Sequence, residues 1–384
     1  HTRTRRQRQM CIRDSPSANQ TTEVVTTTEV PETTQTTVIP ETTQTNVIPE
    51  QTITTVVPES IQQSTNIQNK YYNNVSNPYR EVNPGVLSQV PDSGSADQIA
   101  FDSHNNLYKT QWQTKKLFVI KTTGEKVELH TFTEYIFSIV IDRDDILWLN
   151  TTSGTRKVYK IQLDNGTIVS NDLHIDYINS IPTDFRNLAL NSKDELFVIT
   201  ASGGYIYKLS KTDGSYSQYY GPVSGNDPRA MCFDKYDNIL YGGRLGKKVY
   251  KVSDNGGSPT QTFYAGIATS IGTIYGLTVD KNNDLYVSIQ SLNRVKKITP
   301  DGVITNVMGN GNSTGVVDST GQPLSSSVKI PGGLAFDKYG DLYVGLAVYP
   351  SNDTDHILSL GFAHKDWENN SRLSTFEPES KIYS

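Results

Sequence analysis

Cysteine is nearly absent from these 384 residues, with Cys11 and Cys232 the only two. That scarcity excludes a disulfide-stapled scaffold and a thiolate zinc cluster, both of which need more thiols. Methionine and tryptophan number 3 each, and no stretch approaches the roughly 18 unbroken apolar residues of a membrane-spanning helix. No transmembrane segment is expected within these residues. A surplus of basic charge is missing too: 35 Lys and Arg stand against 40 Asp and Glu, a formal charge of -5. Nucleic acid is therefore not an expected partner, because phosphate contacts draw on clustered Lys and Arg. Apolar residues reach only 35%, low for a chain that packs a core along its whole length. Part of the chain must lie outside any core.

That part is the first quarter. Residues 1–15, HTRTRRQRQMCIRDS, carry a string that resembles the translation of a sequencing-library adapter, and they are read as an artefact and set aside. A signal peptide missing from the start is compatible with this reading. Residues 16–70 form a low-complexity Thr/Pro/Glu linker. Within it Pro31, Pro40, Pro49 and Pro58 recur every nine residues in the frame VPETTQTTV, IPETTQTNV, IPEQTITTV. Pro cannot donate to a ladder, and the repeat has too little apolar surface to offset chain entropy, so an extended, disordered stalk is expected. The tract resembles an O-glycosylated stalk that holds a domain away from a wall or membrane, the alternative being a plain disordered linker. The expected location is extracellular or cell-surface.

From residue 84 to 384 one unit recurs six times. The copies are IAFDSHNNLYKT, IVIDRDDILWLN, LALNSKDELFVIT, MCFDKYDNILYGG, LTVDKNNDLYVSI and LAFDKYGDLYVGL. Their anchors are Asp102, Asp142, Asn191, Asp234, Asp280 and Asp337, spaced by 40, 49, 43, 46 and 57 residues. A second strand cue follows each anchor, in KKLFVI, RKVYKI, GYIYKL, KKVYKV, NRVKKI and HILSL. Apolar residues alternate within these strings with period two, the mark of a strand with one buried face. Turn sequences follow at Gly124, Gly166, Gly214, Gly256 and Gly302, where a tight hairpin needs positive φ. Four strands per unit and six units predict an all-β fold, a six-bladed β-propeller, preceded by the stalk.

The stretch NRVKKITPDGVITNVMGNGNSTGVVDSTGQPLSSSVKIPGGLAFDKYGDLYV, Asn293 to Val344, resembles NHL repeats, and the likeness extends more weakly over residues 84–365. The first three units lack the usual Asn-x-Arg before the third strand. The resemblance implies a propeller that binds a protein, peptide or glycan. A ring must also close, since free sheet edges invite aggregation. GVLSQVP, Gly85 to Pro91, is expected to add a strand to the last blade, with Ser371 to Ser384 running outside; the alternative is that RLSTFEP closes that blade.

In a propeller the residues entering each innermost strand ring one mouth of the channel. Four and five places before the anchors they include Asp97, Gln98, Arg186, Asn187, Arg229 and Tyr275, a polar mouth suited to an anionic or hydroxyl-bearing ligand. The competing reading pairs Arg186 and Arg229 with Asp97, Asp184 or Asp227. A lactonase-like or lyase-like propeller would instead hold a metal in the channel, calcium with carboxylates and amides or zinc with histidines. Two guanidinium groups argue against calcium. His1, His104, His130, His174, His356 and His364 occupy unmatched repeat positions, and no HxH or HExxH occurs. The Asp-rich turns after the anchors are read as backbone-capping turns, Cys232 as a buried, inert thiol, and GNGNSTG as a connecting loop. Sequons at Asn74, Asn150, Asn165, Asn312, Asn352 and Asn369 permit glycosylation. The expectation is a monomeric, cell-surface binding module without catalysis or cofactor; the alternative is a metal-dependent lactonase or lyase, with Ca as the cofactor.

Overall fold

The computed structural model describes residues 87–152, 157–170, 175–176, 184–201, 203–223, 227–254, 256, 258–313, 321–347 and 357–361. The repeat becomes structure first at its anchors. Each anchor side chain is at most 9% exposed, and its Oδ1 accepts backbone N–H groups just downstream. Asp142 takes them from Asp144 (3.1 Å) and Ile146 (2.9 Å), Asp280 from Asn282 (2.9 Å) and Asp284 (2.8 Å), Asp337 from Tyr339 and Asp341 (both 2.9 Å). Asn191 does the same for Lys193 and Glu195 through an amide oxygen. This is the capping turn expected of short Asp and Asn side chains, and it reverses the chain between the first two strands.

Three residues past each anchor the backbone enters the left-handed region: Asn105, Asp145, Asp194, Asp237, Asn283 and Gly340 have φ between 55° and 84°. These are the residue types that tolerate it. All but Gly340 carry a side-chain acceptor that reaches the preceding blade. Asp145 accepts from the Ser103 N–H (2.8 Å) and hydroxyl (2.6 Å), Asp237 from the Ser192 N–H (2.8 Å) and hydroxyl (2.6 Å), Asn283 from the Lys235 N–H (2.9 Å). Asn105 accepts from the Lys338 N–H (3.1 Å), carrying the belt from blade 6 back to blade 1.

Five blades are four-stranded antiparallel sheets and blade 2 has five strands, with strands a to d running from channel to rim. Blade 1 comprises Gln98–Phe101, Leu107–Gln111, Lys116–Ile120 and Lys126–Thr131; blade 2 comprises Tyr135–Ile141, Ile146–Thr152 and Lys157–Asp164, with Thr167–Ser170 and Ile175–Asp176 sharing the rim position. Blade 3 is Phe185–Leu190, Leu196–Thr200, Ile206–Leu209 and Tyr216–Tyr220, and blade 4 is Pro228–Phe233, Ile239–Gly243, Val249–Ser253 and Thr260–Phe263. Blade 5 is Ile274–Val279, Leu285–Ile289, Arg294–Ile298 and Ile304–Met308. Blade 6 takes Pro331–Phe336, Leu342–Leu346 and Ile357–Leu360 from the C-terminal side and Leu87–Gln89 from the N-terminal side. The closing strand expected from GVLSQVP is thus present, pairing Leu87 with Leu360 and Gln89 with Leu358. It fills the place the alternative gave to RLSTFEP, and residues 362–384, with the expected outer run, lie outside the described residues, as do residues 1–86.

Six hydrophobic clusters hold the ring, one between each pair of neighbouring blades. Leu147 and Leu149 of blade 2 pack on Leu117 and Val119 of blade 1; Tyr343 and Ile357 of blade 6 pack on Ile99 and Leu107 of blade 1. Strands b of blades 3 to 6 are buried along their whole length because both faces are covered by blades, whereas Thr260–Phe263 at the rim alternates exposed and half-buried. Among the sequons, Asn150 is fully buried and bonded to the Ser138 hydroxyl (2.6 Å), so it is closed to glycosylation in the folded chain; Asn165 and Asn312 are exposed.

Two outcomes are expected. Leu87 is 3% exposed within the cluster between blades 5 and 6, so Leu87→Ala should cost about 2–4 kcal/mol in urea unfolding; an unchanged midpoint would mean the closing strand does not seal the ring. Burial, reinforced by the Asp341 carboxylate, pushes the Asp337 carboxyl from 3.8 up to about 7, against the N–H bonds from Asp341 and Tyr339. Between those values the folded chain holds a proton that the unfolded chain has lost, so this group's contribution to stability declines as pH rises through the window and stays lost above it. Because Asn191 makes the same turn in blade 3, Asp337→Asn should keep the turn, flatten stability between about pH 4 and 7, and raise the midpoint at pH 8. Denaturation at pH 5 and 8 checks this, and a lower midpoint at both would refute it.

Candidate functional site at the channel mouth

The innermost strands share an irregularity at one end. In blade 2 Ile136 pairs with Thr151 and Ser138 with Asn150; in blade 3 Phe185 pairs with Thr200 and Asn187 with Ile199. In blade 4 Pro228 pairs with Gly243 and Ala230 with Gly242, and in blade 5 Ile274 pairs with Ile289 and Gly276 with Ser288. Each is a β-bulge with one extra residue left out of the ladder: Phe137, Arg186, Arg229 and Tyr275. Released from the alternation of the strand, these four converge from four blades. The Arg186 guanidinium carbon lies 4.8 Å from the Phe137 ring centre, and that of Arg229 lies 5.3 Å from Phe137 and 5.8 Å from Tyr275. Contact between blades 4 and 2, which are not neighbours, places the group in the channel.

Asp227 sits at the middle of the charges. Its carboxylate lies 3.5 Å from Arg186 Nε, 3.0 Å from an Arg229 Nη and 2.9 Å from Arg244 Nε. Three guanidinium groups therefore share one directly paired carboxylate, and only Arg229 among the first two makes a well-aligned bond to it. Arg186 Nε, Arg229 Nε and Asp227 Oδ1 are buried with no hydrogen-bond partner among the described residues. Burial lowers the Arg186 pKa, and the neighbouring Arg229 lowers it further, while Asp227 and the exposed Asp184 act in the opposite direction. Asp227 itself holds a left-handed backbone (φ 59°), with its carbonyl accepting the Arg244 N–H at 3.2 Å. Gly243 faces that carbonyl so closely that a Cβ would lie 2.2 Å from it, which fixes glycine there.

Beside Phe137 the aromatic surface continues into blade 1. Trp112 packs edge-on against Phe137 (5.4 Å) and stacks on Tyr135 (5.0 Å, 11° between planes), and Lys115 lies 4.8 Å from the Tyr135 ring centre. The Trp112 backbone N–H donates to Asp97 Oδ2 at 2.6 Å.

Of the six residues expected at the mouth, the fold brings Arg186, Arg229 and Tyr275 together. Asn187 is 8% exposed and its Oδ1 accepts the Met231 N–H at 3.0 Å, joining blades 3 and 4. Asp97 binds blade 1 to Trp112 and, through its carbonyl, to Gly333 of blade 6 at 2.7 Å; Gln98 is half-buried in strand a of blade 1. The competing ion-pair reading is realised with Asp227, not with Asp97. Arg244 and Trp112 were missed, yet both lie ten residues after their anchors, where strand b of each repeat reaches the mouth. Cys232 is partly buried in Pro228–Phe233, where desolvation and then the Asp234 carboxylate push its thiol pKa up. His104 lies 3.7 Å from Asp145 at the opposite turns, and His130 packs on Phe132 in a rim strand. A groove of about 360 Å³ on blade 5, lined by Ser291, Leu292, Arg294 and the 310–312 segment, is separate from this cluster; Arg294 there is bonded to the Asn310 carbonyl at 3.1 Å.

No protein-family model matches the chain, and no curated protein matches it. Among solved structures it is similar to a streptogramin B lyase (16% identity, TM-score 0.52, 72% of this chain and 97% of that one). It is also similar to a gluconolactonase from Xanthomonas campestris (11%, 0.53, 72% and 89%) and to the calcium-binding protein regucalcin from Agrobacterium tumefaciens (14%, 0.52, 73% and 94%). At such identities the likeness shows the six-bladed propeller. The NHL naming has no family match behind it. Nor do the mouth residues fit a cation: three guanidinium groups surround the carboxylate, and no group of three or more His, Cys, Asp or Glu among the described residues could hold a metal ion.

Removing the shared carboxylate should leave three mutually repelling cations. Asp227→Ala is expected to lower stability by about 3 kcal/mol at low ionic strength, with part of the loss restored by added sulfate. Melting curves across a sulfate series check this; a variant as stable as the parent in low salt would show that the pairing is not needed.

Proposed function

We propose that the protein is a cell-surface binding module, recognising a glycan, peptide or protein partner through this channel mouth without catalysis. The observation that supports it most is the convergence of Arg186, Arg229 and Arg244 on one carboxylate over Phe137 and Tyr275. Arg partly withdrawn from water beside aromatic rings is a recognition device: it offers bidentate hydrogen bonds and a planar face at once. The Thr/Pro-rich linker favours presentation away from a surface, which is the basis for the extracellular or cell-surface location.

A metal-dependent lactonase or lyase is the second reading, favoured by what the structural neighbours are named for. The positive mouth weighs against it on electrostatic grounds, since a divalent cation would enter against three like charges. Array screening of the full chain against glycans and peptides separates the two. The binding reading expects hits that are lost in Arg186→Ala and Arg229→Ala; turnover of a lactone that depends on added calcium, together with no mouth-dependent hit, would overturn it.

A further inference from the structure

We infer that the ligand taken at this mouth is an acidic saccharide, its carboxylate held by Arg229 and Arg244 and its sugar ring lying along the aromatic surface that begins at Trp112. This rests on the mouth-binding reading above and names the ligand class.

The acid follows from charge. Among the described residues Asp227 is the only carboxylate paired directly with the three guanidinium groups, and Asp184 adds one exposed charge near Arg186, so the cluster keeps a positive excess in a chain whose net charge is -5. Nε of Arg186 and Nε of Arg229 find no acceptor among the described residues. The side chain of Arg244 is 53% exposed, leaving it able to meet a solute, whereas Arg186 and Arg229 are 19% and 17% exposed and stand behind it. A ligand carboxylate would relieve the repulsion between Arg186 and Arg229 and take the bidentate bonds that Asp227 alone cannot supply.

The saccharide follows from what the mouth offers beside that charge. An extended peptide docks by adding a strand to an open sheet edge, but the N–H groups of Asp97 and Gly333 and those two places after the bulged arginines are already engaged. The Asp97 N–H donates to the Thr110 carbonyl (2.9 Å), the Gly333 N–H to the Asp97 carbonyl (2.7 Å), the Leu188 N–H to the Ser138 hydroxyl (2.8 Å) and the Met231 N–H to Asn187 (3.0 Å). Recognition is left to side chains, and those present are aromatic rings next to cations: Trp112 stacked on Tyr135 and touching Phe137, Phe137 under Arg186 and Arg229. A pyranose ring has an apolar C–H face that packs on an aromatic plane, and an acidic sugar carries its carboxylate on the same small ring. An acidic oligosaccharide thus carries both features, a carboxylate for the arginines and a ring face for the aromatic surface.

Calorimetric titration of the full chain tests this with four probes: a galacturonate trisaccharide, sialyllactose, the methyl-esterified trisaccharide and an acidic tetrapeptide. One of the two acidic sugars is expected to bind, with affinity lower by about tenfold or more in Arg244→Gln and Arg229→Gln, in Trp112→Ala, and for the ester in place of the acid. Far-ultraviolet dichroism and melting curves of each variant confirm that it folds, and Lys338→Gln, on the opposite turns, should bind as the parent does. If ester and acid bind alike and Trp112→Ala still weakens both, the acidic class is wrong and the mouth reading stands. If the peptide binds as tightly as the sugars and Trp112→Ala has no effect, the saccharide is wrong. Sugar binding that no mouth variant alters defeats the mouth reading itself, and binding of neither acidic sugar by the parent overturns the inference.

Discussion

The buried carboxyl or amide at the end of each inner strand carries more of this architecture than any other interaction. In a low-dielectric interior an acceptor with two or more N–H partners is worth far more than one at the surface, and losing it strands those donors. Here the acceptor reverses the chain, and in blades 1 to 5 the left-handed residue three places on turns a second acceptor toward the preceding blade. In those five blades the capping turn and the inter-blade latch are one device; in blade 6 Gly340 makes the turn without a latch. Hydrophobic clusters between blades supply most of the burial, but burial has no direction; the latches set the angle at which each blade meets its neighbour.

The proposed binding site depends on a second repeated irregularity at the other end of the same strands. A β-bulge takes one residue out of the two-residue alternation and lets its side chain point where a regular strand would not allow. Four consecutive blades use it to place Phe137, Arg186, Arg229 and Tyr275 in the channel. Cations over aromatic faces are stabilised by the ring quadrupole even where water is partly excluded, which lets two arginines approach each other behind a single shared aspartate. The result is a positively charged cluster at the channel mouth of an acidic protein.

Reading the chain from composition and spacing recovered the blades because the anchors recur and the strand cues follow at a nearly constant distance. The closing strand was legible for the same reason, since GVLSQVP repeats the pattern of a rim strand. Arg186, Arg229 and Tyr275 were legible as a ring by counting back from the anchors. Their company was not. Asp227 is an ordinary loop residue in sequence, and nothing local distinguishes its pairing with three arginines from a pairing with Asp97. Asn187 and Asp97 looked like mouth residues, yet each bonds to backbone and joins neighbouring strands or blades. Trp112 and Arg244 share a repeat position whose place at the mouth becomes visible only once strand b has a direction and a length.

What the amino-acid sequence determined by itself was periodic: six units, four strands in each, a turn after each anchor, and a closing strand drawn from the other end. Periodicity survives without coordinates because each unit repeats the same local hydrogen bonds and the same burial pattern. What the tertiary structure alone decided was convergence: which blades face one another across the channel, which residue a bulge releases from its ladder, and which of several carboxylates lies within reach of three arginines. Those pairings join residues from different blades, and their distances are set by how six sheets close into a ring, which no local rule of chain geometry contains.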